Sequence, residues 1–487
     1  MSERCDVVVV GAGVGGLAVA IRLAATPGRR RVVVLERSPV VGGKVRTWQA
    51  GGYSFDIGPS LLTVPQVFDE LFAVAGTSLA AEVDLVRLDP QFDHRWPDGS
   101  RLVTHDDPGA TADAFHRFTP EGGAAWRRFD ERGRRIWDVS VRTFFAGPMV
   151  GPLQLARRMR SPADLVTIDP LRTLHRAATR SFDDPRLVQW AGRYATYSGS
   201  SPYRAPATLA CIPHLESRFG CWYPVGGLGS LVGAMARVAE SVGVEVRTSA
   251  EVAAIETTGG RVSGVRLTDD ARLVAPVVVA NTDAEHLYAD LLPDARALAR
   301  VRRATPSTSA VVVAAGVRGV TPGQRHHTVW FSHDDRAEFA ALEAGRLADD
   351  PTVYACVSSV TDPTQAPAGC ENWFLLVNAP PGVDIDGAEQ QRRLLELLAA
   401  RGVDLRPRLE VARTITPGEL AALHRSPGGA IYGTSSNGRR AAFLRPPNIG
   451  ARRGLYLVGG SSHPGGGLPL VATSARIVAH LVTQRGA

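Results

Sequence analysis

Residues 5–38, CDVVVVGAGVGGLAVAIRLAATPGRRRVVVLERS, decide how this chain folds. The apolar run at 5–10 has the length of a strand and leads directly into Gly11, Gly13 and Gly16, the spacing GxGxxG. Residues 14–25 then have the length and small-residue content of a helix, Pro27 and Gly28 stop it, and 31–35 supply a second strand. Strand, glycine turn, helix and strand in that order open a βαβ unit of the Rossmann type. Gly11 permits the tight turn, Gly13 lets the backbone approach a pyrophosphate, and Gly16 lets the helix lie close against the strand. Glu36 ends the second strand, 20 residues beyond Gly16. A carboxylate there accepts hydrogen bonds from the adenosine ribose and repels a 2′-phosphate, which argues against NADP.

Outward from this unit come Arg37, then Gly42, Gly43, Lys44, Arg46 and Thr47, then Phe55 to Pro59 with Asp56. The paired glycines let the chain pass close to a cofactor, and Lys44 or Arg46 supplies positive charge near its phosphates. For Lys44 a solvent-facing position is equally open, and for Asp56 a loop cap is as open as a part in closing the cofactor site. The far end of the chain repeats the strand, glycine, helix order: strand 455–458, glycine-rich loop 459–467, helix around 471–482. Backbone N–H groups in such a loop face a phosphate or a flavin edge.

Between these ends, 66–190 reads as amphipathic helical stretches broken by proline and glycine. The chain returns near Trp222, with a helix at 228–242 and strands at 244–246, 252–255, 262–267 and 273–279, a meander expected to complete the nucleotide-binding sheet. Residues 291–420 mix strands at 310–314, 352–360 and 373–377 with a helix around 389–400, which predicts a second, α+β domain. No internal repeat or low-complexity linker interrupts the chain, and the short basic clusters are 29–31 and 439–440.

At 487 residues there is room for two or three domains and a large buried cofactor, and 44% apolar with 21% charged residues is the balance of a folded protein. The start lacks the basic and apolar regions of a secretory signal, and no run of about 18 apolar residues occurs. Membrane contact is therefore expected to be peripheral. Five cysteines, an odd number without CxxC pairing, argue against a disulfide framework and a zinc site and suit a reducing cytoplasm. The net charge of +7 comes with no nucleic-acid motif, and Lys44 is the only lysine, so the arginine excess is compositional. Such a surface also suits anionic lipid headgroups.

Taken together, these segments resemble the carotenoid desaturase (phytoene desaturase-like) branch of the FAD-dependent amine oxidase-like superfamily. The resemblance is carried by VVVVGAGVGGLAVAIRLA (7–24), VVGGKVRT (40–47), GYSFDIGPSLLTVPQVF (52–68) and GLYLVGGSSHPGGGLPLVATSARIVA (454–479). GRYATYSGSSPYRAP (192–206) and CWYPVGGLGSLVGAMARVAESVGVEVRTSAEVAAI (221–255) are also similar. The resemblance implies an α/β protein with a Rossmann-type FAD-binding domain assembled from 1–70, 215–290 and 421–487. It further implies an α+β substrate domain from 71–120 and 291–420, and a helical, membrane-facing insertion at 121–214.

By residue match, Gly11, Gly13 and Gly16 would surround the FAD pyrophosphate, Glu36 would hold the ribose, and Gly43, Lys44 and Arg46 would border the cofactor. Val252 would fall beside the adenine, and Gly459, Gly460, Pro464, Gly465 and Gly466 would approach the flavin or ribityl portion. The HPGGG-x-P element at 463–469 points to carotenoid desaturases, and 199–203 to those acting on 1-hydroxylated or methoxylated acyclic carotenoids. The implied reaction passes an allylic hydride to flavin N5 with loss of a neighbouring proton, in an apolar and aromatic pocket. The implied partners are a hydrophobic polyene, a membrane surface met peripherally from the cytoplasm, and quinone or oxygen as electron acceptor, with no nucleic acid and no metal.

His463, Arg193 and Tyr197 are the catalytic candidates. His463 is either a loop residue bonded to backbone or a contact to flavin or substrate that accepts the proton. Arg193 and Arg204 flank an aromatic group of Tyr194, Tyr197, Tyr203, Trp222 and Tyr223, which either packs the core or lines a polyene channel. Asn437, Arg439 and Arg445 either close the route to the cofactor or form a solvated loop. Ser461 and Ser462 beside His463 lack a GxSxG elbow, so hydrolase chemistry is excluded. Rival readings are a phytoene-type desaturase, a carotenoid isomerase or hydratase, and an amine oxidase-like flavoenzyme.

Overall fold

A computed structural model describes residues 3–485 apart from Pro27, Arg29 and Val150. The helix stop expected at Pro27 and the Arg29 end of the basic cluster lie outside the described residues. The first strand, helix and second strand form as expected, at Val7–Val10, Val14–Ala25 and Val32–Leu35, with the glycine turn between the first two. They sit inside a five-stranded sheet ordered Glu245–Arg247, Val32–Leu35, Val7–Val10, Val277–Ala280 and Leu455–Leu457. Every pairing in it is parallel, and its strands come from widely separated parts of the chain.

The continuous apolar strands follow from burial on both faces. Val7, Val9, Val32 and Val34 pack with the helices Val14–Ala25, Leu228–Ser241 and Leu468–Arg485. Val8, Val10, Val33 and Leu35 point the other way, against Ile255, Val265, Leu273 and Leu287. Each fully buried valine contributes roughly 1.5–3 kcal/mol relative to exposure, so the two-sided run is the main adhesive of this sheet.

Of the expected meander, Glu245–Arg247 and Val277–Ala280 join that sheet, but the strands between them do not. Val252–Thr258, Arg261–Leu267 and Arg272–Val274 pair with the short strand Glu3–Arg4 in a separate four-stranded sheet. The strand expected at 273–279 is cut at Pro276, which lacks a backbone N–H for the ladder, and Val277–Ala280 crosses to the parallel sheet instead.

A seven-stranded sheet stands beyond, ordered Leu409–Ile415, Ser309–Arg318, Cys370–Ala379, Val353–Cys356, His327–Trp330, Phe92–Arg95 and Arg101–Thr104. Its last two strands correct the all-helical reading of 66–190: Phe92–Arg95 and Arg101–Thr104 form a hairpin across the Pro-Asp-Gly-Ser turn at 97–100. The strand expected over 352–360 ends at Cys356, and Ser358–Val360 is a single 3₁₀ turn.

Helices dominate 108–219, led by the 22-residue Gly122–Thr143. Their common core is aromatic: Phe115, Trp126, Phe129, Phe182 and Trp190 are all buried together. Among the described residues no helix, in the helical insertion or elsewhere, is long and apolar enough to cross a membrane.

Candidate cofactor and substrate site

One cavity of about 480 Å³ runs from the first glycine turn, past the last glycine loop, to the face of the seven-stranded sheet. That size falls in the range of sites for large ligands. At its head the chain has been stripped of side chains for a reason that distances make plain. Gly11 has φ +101°, where only glycine is at ease, and a Cβ there would lie 2.9 Å from the Asn281 carbonyl oxygen. A Cβ on Gly16 would lie 2.0 Å from the Gly11 carbonyl oxygen, so this glycine is what lets the helix sit on the turn. Gly13 and Gly15 border the cavity, and a Cβ on either would meet the Asn281 amide, at 2.9 and 2.7 Å.

Asn281 was not singled out in the sequence. Its backbone N–H donates to Val10 O at 2.8 Å, its side-chain amide donates to Val458 O at 3.0 Å, and a Cβ on Gly459 would touch it at 2.6 Å. It thus joins the first and last glycine loops. The only sequence signal was its place directly after the strand Val277–Ala280.

Glu36 is buried and borders the cavity. One carboxylate oxygen accepts Ala12 N–H at 2.8 Å and the other accepts Ser38 N–H at 2.9 Å. A carboxylate has about four acceptor positions, so lone pairs remain for two ribose hydroxyls after the turn is braced. Val252 also borders the cavity, just past Ala250, whose N–H donates to Glu36 O at 2.8 Å.

The loop after the second strand folds back over the cradle. Gly42 N–H donates to Ala12 O at 2.9 Å, and Gly43, at φ +60°, comes so close that a Cβ would lie 3.1 Å from Gly13 Cα. Arg46 donates to Gly43 O and Ser38 Oγ, both at 3.1 Å. Lys44 does not face solvent: its ammonium is buried and donates to Ala430 O at 3.1 Å and Ile431 O at 2.9 Å. Burial lowers its pKa and nearby Asp283 opposes that. The Asp283 carboxyl is raised by burial, against the pull of Lys44. Asp56 is the loop cap and lies off the cavity, its Oδ2 accepting Leu228 N–H at 2.9 Å at the start of Leu228–Ser241.

In the last loop Gly459, Gly460 and Gly466 border the cavity, whereas His463, Pro464 and Gly465 do not. The His463 ring is buried edge-on to Phe144 at 4.6 Å, with Nε2 3.0 Å from Phe144 O. Burial pulls its pKa down to about 4, with the Phe144 carbonyl working the other way. It ties the loop to the helical region. Arg445 is likewise internal, donating to Tyr432 O, Gly460 O and Thr434 O.

Arg193 and Tyr197 do border the cavity. The Arg193 guanidinium lies over Phe92 at 4.8 Å, Tyr197 at 5.4 Å, and Tyr194 and Tyr354 at 5.9 Å each. These ring faces stabilise a desolvated cation. Tyr197 and Tyr194 donate to the two oxygens of Glu216, at 2.5 and 2.7 Å. Burial raises the Glu216 pKa while Arg193 opposes it. Glu216 is a second residue that the sequence did not reveal, since it enters from a different helix, Cys211–Phe219.

Alternate residues of three adjacent strands form the floor: Ala310 and Val312, Phe374 and Leu376, and Tyr354. This period of two is what a sheet face imposes. Separately, His326, His327 and Cys356 bring ligand atoms within 4.8 Å of one another, a grouping hidden from sequence because it joins two strands. The residues present fit a dinucleotide carrying a flat redox ring: a side-chain-free cradle, an acidic ribose partner and a long apolar extension.

Comparison with known proteins agrees with this geometry. The family profile described as flavin containing amine oxidoreductase matches residues 14–377. The chain is 34% identical to a 4,4'-diapolycopene oxygenase of a Methylomonas species, over 98% of each chain. It is 35% identical to a hydroxyneurosporene desaturase of Rhodobacter capsulatus, over 97% of each, and 31% identical to a 1-hydroxycarotenoid 3,4-desaturase of a Flavobacterium species, over 99% of each. Among solved structures, an oxidoreductase from Methanosarcina mazei superposes with a TM-score of 0.64 at 17% identity, covering 98% of this chain and 100% of the other. Wild-type putrescine oxidase bound to putrescine gives 0.65 at 17%, covering 100% and 99%. At those identities the structures speak to the fold.

Proposed function

From the premise that this chain belongs to the carotenoid desaturase branch of the flavin-containing amine oxidoreductase family, and is an FAD-dependent oxidoreductase, we propose that it desaturates an acyclic carotenoid. The observation that carries the reading is the continuity of the cavity, from the glycine cradle to an apolar and aromatic sheet face. A polyene offers no polar handle at the reacting carbons, so such a wall positions it by shape.

FAD, when bound, supplies the two-electron acceptor that takes a hydride from an allylic carbon at N5. Gly11, Gly13 and Gly15 would hold its phosphates against main chain and Glu36 would hold the ribose, while Lys44 fixes the 430–431 segment that would lie beside it. The substrate loses one hydrogen as hydride and one as a proton while the remaining electrons form the new double bond. In this reading Tyr197, which borders the cavity and donates to Glu216 at 2.5 Å, receives that proton as it passes its own to Glu216. Arg193 keeps the accepting carboxylate from being stranded as an isolated buried charge. Quinone or oxygen would be the final electron acceptor in this reading.

We also retain the division into 1–70, 215–290 and 421–487 for cofactor, 71–120 and 291–420 for substrate, and 121–214 as the membrane-facing part. Supporting the last is the concentration of exposed apolar side chains at Val141, Leu153, Leu165, Val166 and Leu171, with Arg157, Arg158 and Arg160 among them. Docking through these helices from the cytoplasmic side would deliver a bilayer-held polyene.

The test is anaerobic incubation of flavin-loaded protein with acyclic carotenoids dispersed in vesicles, following flavin bleaching and the product spectrum. Bleaching coupled to a red-shifted polyene is expected. Bleaching with amines alone would overturn the reading, and product formation without net electron transfer would favour isomerisation or hydration.

A further inference from the structure

Beside the cavity floor the fold gathers a polar group that neither the cradle nor the channel uses. His327 opens the strand His327–Trp330 and stands directly opposite Cys356, the last residue of Val353–Cys356. Residues opposite one another on a sheet face are side-chain neighbours. His326 O accepts Val357 N–H at 2.8 Å, which continues the ladder by one pair, and the His326 ring lies 4.5 Å from that of His327. All three side chains are buried and bring one ligand atom each within 4.8 Å of the others. The lack of CxxC spacing argues against zinc only where ligands are close along the chain; here strand pairing brings them together.

Both imidazoles are held by the same end. His326 Nδ1 is 2.7 Å from Thr361 Oγ1, and His327 Nδ1 is 2.9 Å from Tyr354 Oη. With Nδ1–H donating to the hydroxyl, each Nε2 keeps a lone pair. Both Nε2 atoms are buried and have no hydrogen-bond partner among the described residues. The same is true of Tyr223 Oη and Asp56 Oδ1. The Tyr223 ring meets His326 at 4.7 Å, and the Asp56 charge acts on both Tyr223 and Cys356. Stranded polar atoms are rare in a folded core and costly, so several around one spot call for an occupant. An imidazole steadied at one nitrogen by an outer hydroxyl and free at the other is what metal ligation uses.

We propose that His326 and His327, through Nε2, and Cys356, through its thiolate, bind one divalent transition ion of the zinc class, with a water completing the tetrahedron. Imidazole with thiolate suits zinc and disfavours magnesium or calcium. Ligands about 2.0–2.3 Å from such an ion lie roughly 3.3–3.7 Å apart, so binding draws the three atoms in by about an ångström. The ion clamps one strand to the next and, through His327, fixes Tyr354, which borders the cavity. It therefore braces the floor and, having one stable oxidation state, carries no electrons.

The experiment uses the full flavin-loaded chain, produced with added Zn²⁺ or separately with Co²⁺ and dialysed against a weak chelator. Elemental mass spectrometry is expected to find about one equivalent of either ion in the wild type. The Co²⁺ form should show the ligand-field bands of a tetrahedral site, to the red of oxidised flavin, and a thiolate charge-transfer band. Cys356→Ser and His326→Gln are each expected to lower metal content by roughly tenfold or more, whereas Cys370→Ser keeps both content and spectrum. A strong chelator should lower the Tm of the wild type and leave that of Cys356→Ser unchanged. Circular dichroism and flavin content establish that each variant is folded; should one fail to fold, the wild-type content and cobalt spectrum decide alone. Wild type without either ion would overturn the proposal and leave water as the partner of the stranded nitrogens. So would cobalt that lacks the thiolate band and persists in Cys356→Ser, which is adventitious binding only. Neither result touches the desaturase reading, because metal content is measured without turnover.

Discussion

Adding one methyl group to the first turn has opposite consequences at positions three residues apart. At Gly16 the new Cβ would lie 2.0 Å from the Gly11 carbonyl oxygen, a backbone atom that cannot yield without moving the strand. At Gly13 it would meet the Asn281 side-chain oxygen at 2.9 Å, and its bulk would enter the cradle instead of the core. Gly13→Val is therefore expected to yield folded protein without FAD, read as the flavin-to-protein absorbance ratio with circular dichroism unchanged. Gly16→Ala is expected to cost more than the ~1–3 kcal/mol usual for overpacking and to lower the yield of folded protein. Normal flavin content in folded Gly13→Val would contradict the cradle. At this scale the sequence spoke clearly wherever a residue's task is fixed by local chain geometry, as for the tight turn at Gly11 and the close helix packing at Gly16. It was silent on Asn281 and Glu216, whose side-chain partners are 177 residues and about 20 residues away, and on Lys44, whose carbonyl partners lie 386 and 387 residues along the chain. His463, read from a motif, has a neighbour in Phe144 that no local pattern discloses.

The helix Leu228–Ser241 shows what an element asks of a distant side chain. Its first N–H groups need acceptors, and Asp56 supplies one from a different strand, where burial raises its pKa to about 7 while the Leu228 and Gly229 N–H groups pull it down. An acid whose folded pKa lies above its unfolded value of 3.8 contributes fully below that value and loses its contribution as pH rises towards about 7. Asp56→Asn keeps an acceptor without the ionisation. Wild type should then lose stability relative to this variant between pH 4 and 7 by up to roughly 4 kcal/mol, taking ~1.4 kcal/mol per pKa unit as a ceiling. Urea unfolding at several pH values checks this, and a wild-type-to-variant difference that does not change with pH would refute it. Elements were legible where periodicity and length agreed, as in the parallel strands and the flanking helices. The middle strands of the meander were misassigned because alternation identifies a strand but not the sheet it joins, and the hairpin at 92–104 was lost in a region whose composition is otherwise helical.

Over the whole molecule, burial of ionisable groups and the placement of exposed apolar ones set two further behaviours. His94, His326, His327, His424 and His463 all have pKa values lowered first by burial, to about 3 for His326 and His424 and about 4 for His463. Bases whose folded pKa lies below the unfolded value of 6.5 contribute fully above it and lose that contribution as pH falls towards 4 and 3. Unfolding near pH 5 should thus take up several protons, and Tm should drop steeply between pH 7 and 5; a flat Tm over that interval would refute the burial of neutral histidines. The second behaviour concerns the surface. Val166 is 79% exposed, Leu171 66% and Leu153 65%, on a chain whose net charge is +7. Isolated exposed apolar residues need no explanation, but several within about 20 residues, beside arginines, combine the insertion and charge terms of interfacial binding. Partition onto vesicles should therefore need both terms. Leu165→Asp with Val166→Asp is expected to weaken binding to anionic vesicles by roughly tenfold or more, since it removes two buried contacts and adds two like charges to the lipid. High salt should weaken binding of the wild type as well, because screening shortens the reach of the arginines. Sedimentation with vesicles of graded anionic content measures both, and a double variant that sediments like wild type would move the membrane contact to another face.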